Sequence, residues 1–115
     1  MIERYEPNPT MHRAVAYNGI LFVSGIFASD LTAGMEGQTA DTLTRIEQVL
    51  VAHGSGKDKV LSGTVYVTDL SKKEEMNTAW KAFFGSEHLP TRATVGISDL
   101  GPNILVEIVL TAALS

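Results

Sequence analysis

Pro90-Thr91-Arg92-Ala93-Thr94-Val95-Gly96-Ile97 and the later run Ile104-Leu105-Val106-Glu107-Ile108-Val109-Leu110 are the stretches on which the reading of this chain turns. β-Branched residues and alternation predict a strand in each. The intervening Ser98-Asp99-Leu100-Gly101-Pro102-Asn103 is rich in turn formers, so the expected arrangement is an antiparallel hairpin. Each strand carries a single charge, Arg92 on the first and Glu107 on the second. A charge in an apolar strand is costly to bury unless it is paired or used. Two such charges on adjacent strands are the principal chemical lead.

Working upstream, Ser71 and Glu74 have capping-box spacing and predict a helix from Ser71 to about Ser86. Its apolar stripe is Met76, Ala79, Trp80, Phe83 and Phe84, which at helical spacing reads as core. Lys59 to Thr68 reads as a strand. Gln38 to His53 reads as a helix, with Leu43, Ile46, Val49, Leu50 and His53 at steps of three and four and a stop at Gly54 and Gly56. Asn18-Gly19 lies between Ala14–Tyr17 and Ile20–Gly25, a hairpin signal of type I′. Residues 26–37 read as a loop, and residues 1–13 as a short extended segment or loop.

The order is therefore β-β-α-β-α-β-β, a single α/β (α+β) domain over residues 1–115 with one mixed sheet and two helices on one face. Strand 104–110 is apolar at both parities, with Leu105 and Val109 on one side and Val106 and Ile108 on the other. Sheets buried on both faces have this pattern. Two helices cover only one face, so the expected cover for the other is further copies of the chain in a closed homo-oligomer.

The composition is that of a globular protein, 44% hydrophobic and 19% charged over 115 residues. A net charge of −4 argues against general nucleic-acid binding. The absence of cysteine excludes disulfides, thiol catalysis and cysteine-ligated zinc. His12, His53 and His88 are scattered without metal-ligand spacing. No run approaches membrane-spanning length, and the charged N-terminal residues lack a signal-peptide core, so a cytoplasmic location is expected.

Several landmarks, taken in order and spacing, resemble the Rid family of YjgF-like reactive-intermediate deaminases. They are Val23-Ser24-Gly25, Gln38-Thr39, Val49-Leu50-x-x-x-Gly54 and Thr64-Val65-Tyr66-Val67-Thr68-Asp69. Met76-Asn77-x-Ala79-Trp80-x-Ala82-Phe83-Phe84, Pro90-x-Arg92-x-Thr94-Val95 and Val106-Glu107-Ile108 complete the set. The Met-Asn-x-Ala-Trp segment looks most like the YoaB-like branch. The resemblance implies a chorismate-mutase-like fold and a homotrimer with sites between subunits. It also implies hydrolysis, without cofactor or metal, of small 2-imino or enamine acids to 2-keto acids and ammonia. Such intermediates are released by pyridoxal-phosphate enzymes.

By that resemblance Arg92 anchors the substrate carboxylate, which a guanidinium binds bidentately. Glu107 holds or activates water and relays a proton. The alternatives are structural: Arg92 in a subunit ion pair, and Glu107 paired with Arg92 or with another subunit's cation. Thr94, two residues after Arg92, is expected on the same sheet face, with Ala93 and Val95 turned to the helices. Ser24 and Gly25 stand where the family approaches substrate; a plain strand end is the alternative. Met11 aligns near a pocket tyrosine of the family archetype, and Ile26 stands where the archetype carries glutamine. Asn77 matches a recurrent helix asparagine and is read as structural. These departures keep open a non-catalytic reading, in which Arg92 holds a small keto acid for sensing or docking. Endoribonuclease activity, attached to the family by name, is disfavoured by the charge.

Overall fold

The computed structural model describes residues 1–115. Its strands are β1 (Glu3–Pro7), β2 (His12–Tyr17), β3 (Ile20–Ile26), β4 (Val60–Val67), β5 (Thr91–Gly96) and β6 (Val106–Ala113). The helices are α1 (Met35–Ala52), between β3 and β4, and α2 (Lys73–Phe84), between β4 and β5. All six strands form one sheet in the order β1-β2-β3-β6-β4-β5. It is mixed, because β4 and β5 run parallel while every other pair is antiparallel.

Period-two alternation decides which face is covered. Val106, Ile108, Leu110 and Ala112 of β6 are buried, as are Val65 and Val67 of β4 and Leu21 and Val23 of β3. Both helices lie on this side. α1 buries Met35, Leu43, Ile46 and Leu50 against it, and α2 buries Met76, Trp80 and Phe84. Each such side chain contributes about 1.5–3 kcal/mol on leaving water. The opposite face has no cover within the chain: Phe22 of β3 is 46% exposed and Val95 of β5 is 38% exposed. Period-two alternation thus separates a packed face from a bare one.

Local chemistry accounts for the connections. Asn18 and Gly19 take φ values of 51° and 76°, and Tyr17 pairs with Ile20, as a type I′ hairpin requires. Gly54, at φ 87°, lets α1 stop, while the Ser55 N–H returns to Leu50 O at 2.8 Å. The start of α2 differs from expectation. The Asp69 carboxylate, not a Ser71 capping box, is the cap: it accepts from Ser71 N (3.0 Å) and Ser71 Oγ (2.6 Å). A 3₁₀ turn at Leu70–Lys72 then leads into the helix.

Two further expectations are corrected. Residues 3–7, within the stretch read as a short extended segment or loop, pair into the sheet as a strand, so there are six strands instead of five. Glu3-Arg4-Tyr5-Glu6-Pro7 has no apolar face for a sequence pattern to detect. It is an edge strand whose Tyr5 alone packs on the core. The other correction concerns the C-terminal pair: β5 and β6 do not form a hairpin. Chain 60–96 is a β-α-β unit, and α2 carries it over so that β5 lies parallel beside β4 at the sheet edge. The turn-rich segment then spans β4 and delivers β6 into the centre between β3 and β4. Its turn chemistry is as read, with Asp99 Oδ1 accepting from Gly101 N at 2.8 Å and positive φ at Gly101 and Asn103. Such chemistry reverses the chain without specifying the strand that follows as partner.

Candidate functional site

Arg92 sits on the helix-covered side of edge strand β5. Its register partner on β4 is Gly63, a position without a side chain, which leaves room for α2 to approach. The ring of Trp80 there lies 5.2 Å from the guanidinium carbon, and Met76 Sδ accepts from Nη1 at 3.6 Å. No acid neutralises the group: the chain's two ion pairs are His53–Glu6 and Lys59–Asp58. Burial lowers the Arg92 pKa below the usual arginine value, and the Glu74 carboxylate acts in the opposite sense. The group remains a cation, since arginine is not deprotonated in proteins. Arg92, Asn77, Trp80, Lys81, Leu89 and Pro90 line an open cavity of about 390 Å³. Asn77 donates to Glu74 Oε1 at 3.0 Å, and its buried Oδ1 has no partner. A half-buried, desolvated and unpaired guanidinium on an aromatic platform suits a planar anion.

Glu107 lies elsewhere. It faces the bare side of β6, between Tyr66 of β4, its register partner, and Gly25 of β3. β3 bulges here. Val23 pairs with Leu110 and Ile26 with Ile108, so Ser24 and Gly25 together oppose Val109. The bulge seats the Glu107 side chain over Gly25. A Cβ built there would overlap Oε2 and stand 3.0 Å from Cδ. The hydroxyl of Ser24, the other residue of the bulge, is buried and has no hydrogen-bond partner. Ile26 is turned into the core and is 2% exposed, so it lines neither group.

The structure therefore joins Ser24, Gly25 and Glu107 but separates them from Arg92. The two charges lie on opposite faces, with β4 between their strands. At a strand spacing of about 4.8 Å, β5 and β6 are on the order of 10 Å apart. The expected adjacency of Arg92 and Glu107 is absent, as is the ion pair between them. Thr94 does share a face with Arg92, but it is the helix side, opposite buried Val65. Ala93 and Val95 turn to the bare face, reversing the expected sidedness. Sidedness was assigned without knowing which parity of β5 meets α2. Met11 is 44% exposed in a turn held by the Asn8 side chain, beyond β3 and far from β5 in the sheet order.

Three contributors escaped the sequence reading. Trp80 is core, 3% exposed, and also carries Arg92 on its ring. Tyr66 flanks Glu107, which only the register reveals. Gln38 is fully buried; Nε2 donates to Asn103 O (2.9 Å) and Ala33 O (3.1 Å), and Oε1 accepts from Leu105 N (3.0 Å). It ties α1 to the segment that enters β6 two residues before Glu107. A glutamine at a core-facing helix position was the available signal.

Residues 1–114 match the family described as Endoribonuclease L-PSP. The chain is 34% identical over 112 residues to the RutC family protein YoaB of Escherichia coli, covering 97% of each. A crystal structure of a YjgF family member from Neisseria meningitidis aligns with TM-score 0.92 and 33% identity, over 100% of this chain and 96% of the other. A Rid family protein of unknown function from Yersinia pestis aligns at TM-score 0.91 and 28% identity, over 99% and 100%. With a matching sheet, two matching helices and similarity along essentially its whole length, the chain belongs to the RutC/YjgF/Rid family.

Proposed function

We propose that the protein hydrolyses small, reactive 2-imino and enamine acids, of the 2-aminoacrylate type, to 2-keto acids and ammonia. Family membership supports a small-molecule deaminase or regulatory role. The observation that carries the finer reading is the pair of incomplete half-sites. Arg92 offers a cation without an anion on one face, and Glu107 an acid on the other, over a bulge whose Ser24 hydroxyl is unpartnered. One chain cannot apply both to one small substrate. The bare sheet face requires a partner surface, and a closed ring of three copies supplies it, bringing the Arg92 edge of one subunit to the Glu107 face of the next.

In that cleft Arg92 holds the substrate carboxylate through two parallel hydrogen bonds and orients the C=N carbon. Water adds to this carbon of the protonated imine, which an enamine acid reaches by taking a proton from solvent at its terminal carbon, while Glu107 accepts the water's proton. Glu107 then returns that proton to the amine of the carbinolamine, the C–N bond breaks as the hydroxyl becomes the keto oxygen, and the hydroxyl proton leaves with the ammonia as ammonium. One water is consumed, and no electron transfer is involved. The intermediates are those released by pyridoxal-phosphate enzymes, which are the expected upstream partners.

The test generates 2-aminoacrylate with a dehydratase and follows keto-acid release with wild type, Arg92→Ala and Glu107→Gln. Acceleration by wild type and its loss in both variants is expected. Equal rates with wild type and buffer would refute the reading. Pyruvate binding without turnover would select the alternative, a small-carboxylate binding or regulatory protein. The family's description names an endoribonuclease, but the net charge of −4 does not favour an RNA substrate.

A further inference from the structure

A second concave surface lies between the N-terminal hairpin and α1, in a different part of the fold from Arg92. It encloses about 260 Å³ over a floor that includes Ile26 and Val49, with Arg13, Arg45, Gln48 and Glu6 at its walls. Arg13 comes from β2; Arg45 and Gln48 come from α1. Both arginines are half-buried, and neither has an acid within ion-pair distance.

Each polar group except the two forks is already engaged or lacks charge. The Glu6 carboxylate is held by His53, whose Nε2 lies 2.6 Å from Oε2. The His53 ring is in turn stacked on Tyr5, with centroids 4.4 Å apart. This clasp coincides with a positive φ of 55° at Glu6, uncommon for a residue with a side chain. Arg45 spends Nη1 on the carbonyl of Phe27, at 2.5 Å, and retains its other donors. Arg13 and Arg45 line one cavity, and each is partly withdrawn from water. An anion bound there gains from both charges, and guanidinium forks fit an oxyanion closely. At about 30 Å³ per water, the cavity has room for an ion of a few heavy atoms and its hydration.

We propose that this cavity binds a compact oxyanion, the carboxylate of a small metabolite or inorganic phosphate, between Arg13 and Arg45, with the Gln48 amide as a further donor. The site is independent of the reaction proposed above and stands whether or not that reaction occurs.

The test is calorimetric titration of the full chain at low salt, with pyruvate and with inorganic phosphate as separate probes. It is performed on Arg92→Ala so that the Arg92 pocket does not contribute. Binding is expected with a Kd on the order of 1 mM. It should weaken at least tenfold in Arg92→Ala carrying Arg13→Gln, which leaves the Arg45–Phe27 bond intact, and in Arg92→Ala carrying Arg45→Gln. Circular dichroism of each variant establishes folding. A response to one probe alone names the ligand class and supports the site. Absence of binding by both probes up to about 10 mM, or undiminished binding in folded Arg13→Gln, would overturn it.

Discussion

Gly25→Ala should separate the proposed reaction from folding. Gly25 does not have the left-handed backbone that would strain alanine. What its Cβ meets is the end of the Glu107 side chain: it would overlap Oε2, with Cδ at 3.0 Å and Cγ at 3.3 Å. Contacts between such atoms are comfortable at about 3.5 Å, so the carboxylate must swing away by about an ångström. Its torsions permit this on a face with no cover within the chain, so the monomer fold should lose under about 1 kcal/mol. The reaction has less tolerance. An ångström of misplacement in a reacting group costs about 10²-fold, or ~2.7 kcal/mol in activation free energy. Keto-acid release from 2-aminoacrylate, measured beside a thermal melt, should therefore show a rate loss of about two orders of magnitude with little change in Tm. Wild-type turnover by folded Gly25→Ala would mean that the position of Glu107 over this bulge does not matter to the reaction.

Gly63→Ala should behave oppositely. Its Cβ would stand 2.7 Å from Leu110 Cδ2 and 3.0 Å from Trp80 Cη2, inside the core, so overpacking should cost about 1–3 kcal/mol in a urea titration. An unchanged midpoint would contradict the packing described. Gln38→Leu strands the Leu105 N–H and Asn103 carbonyl, at about 1–3 kcal/mol for each unsatisfied group, and should lower Tm by at least ~4 °C. A rise in Tm would show that these groups find other partners. The Asp69 carboxyl is held below its usual pKa by hydrogen bonds from the Ser71 hydroxyl and N–H. With the folded value depressed, its stabilisation is present above the ordinary carboxylate range and lost as pH falls through the folded value, below about pH 4. Thermal melts of wild type and Asp69→Asn should accordingly converge as the pH is lowered; a constant gap would remove the charged cap from the account.

The elements were legible where local chemistry specifies them. Asn18-Gly19 admits few turns other than the one observed. The 3.6-residue spacing of Leu43, Ile46 and Leu50 has no good alternative to a helix with one buried face. Strand β1 was not legible, because a charged edge strand is held by backbone hydrogen bonds to its neighbour and needs no apolar pattern. The candidate site was half legible. Lone charges in apolar strands singled out Arg92 and Glu107 as candidates, and the resemblance pointed to Ser24 and Gly25. No local feature distinguished a chain reversal that pairs adjacent strands from one that passes over β4.

By itself the sequence determined which segments other than β1 become strands and helices, that one sheet face would lack a cover, and which two charged groups needed an explanation. These follow from period, turn residues and the cost of burying charge, all short-range properties. The order of strands and the side to which each charge points were decided only by tertiary structure. α2 carries β5 to the far edge of β4, and the covered face of the sheet claims one parity of every strand. That puts Arg92 beside Trp80 under the helices and Glu107 over Gly25 on the bare face, an arrangement set by packing between segments distant along the chain.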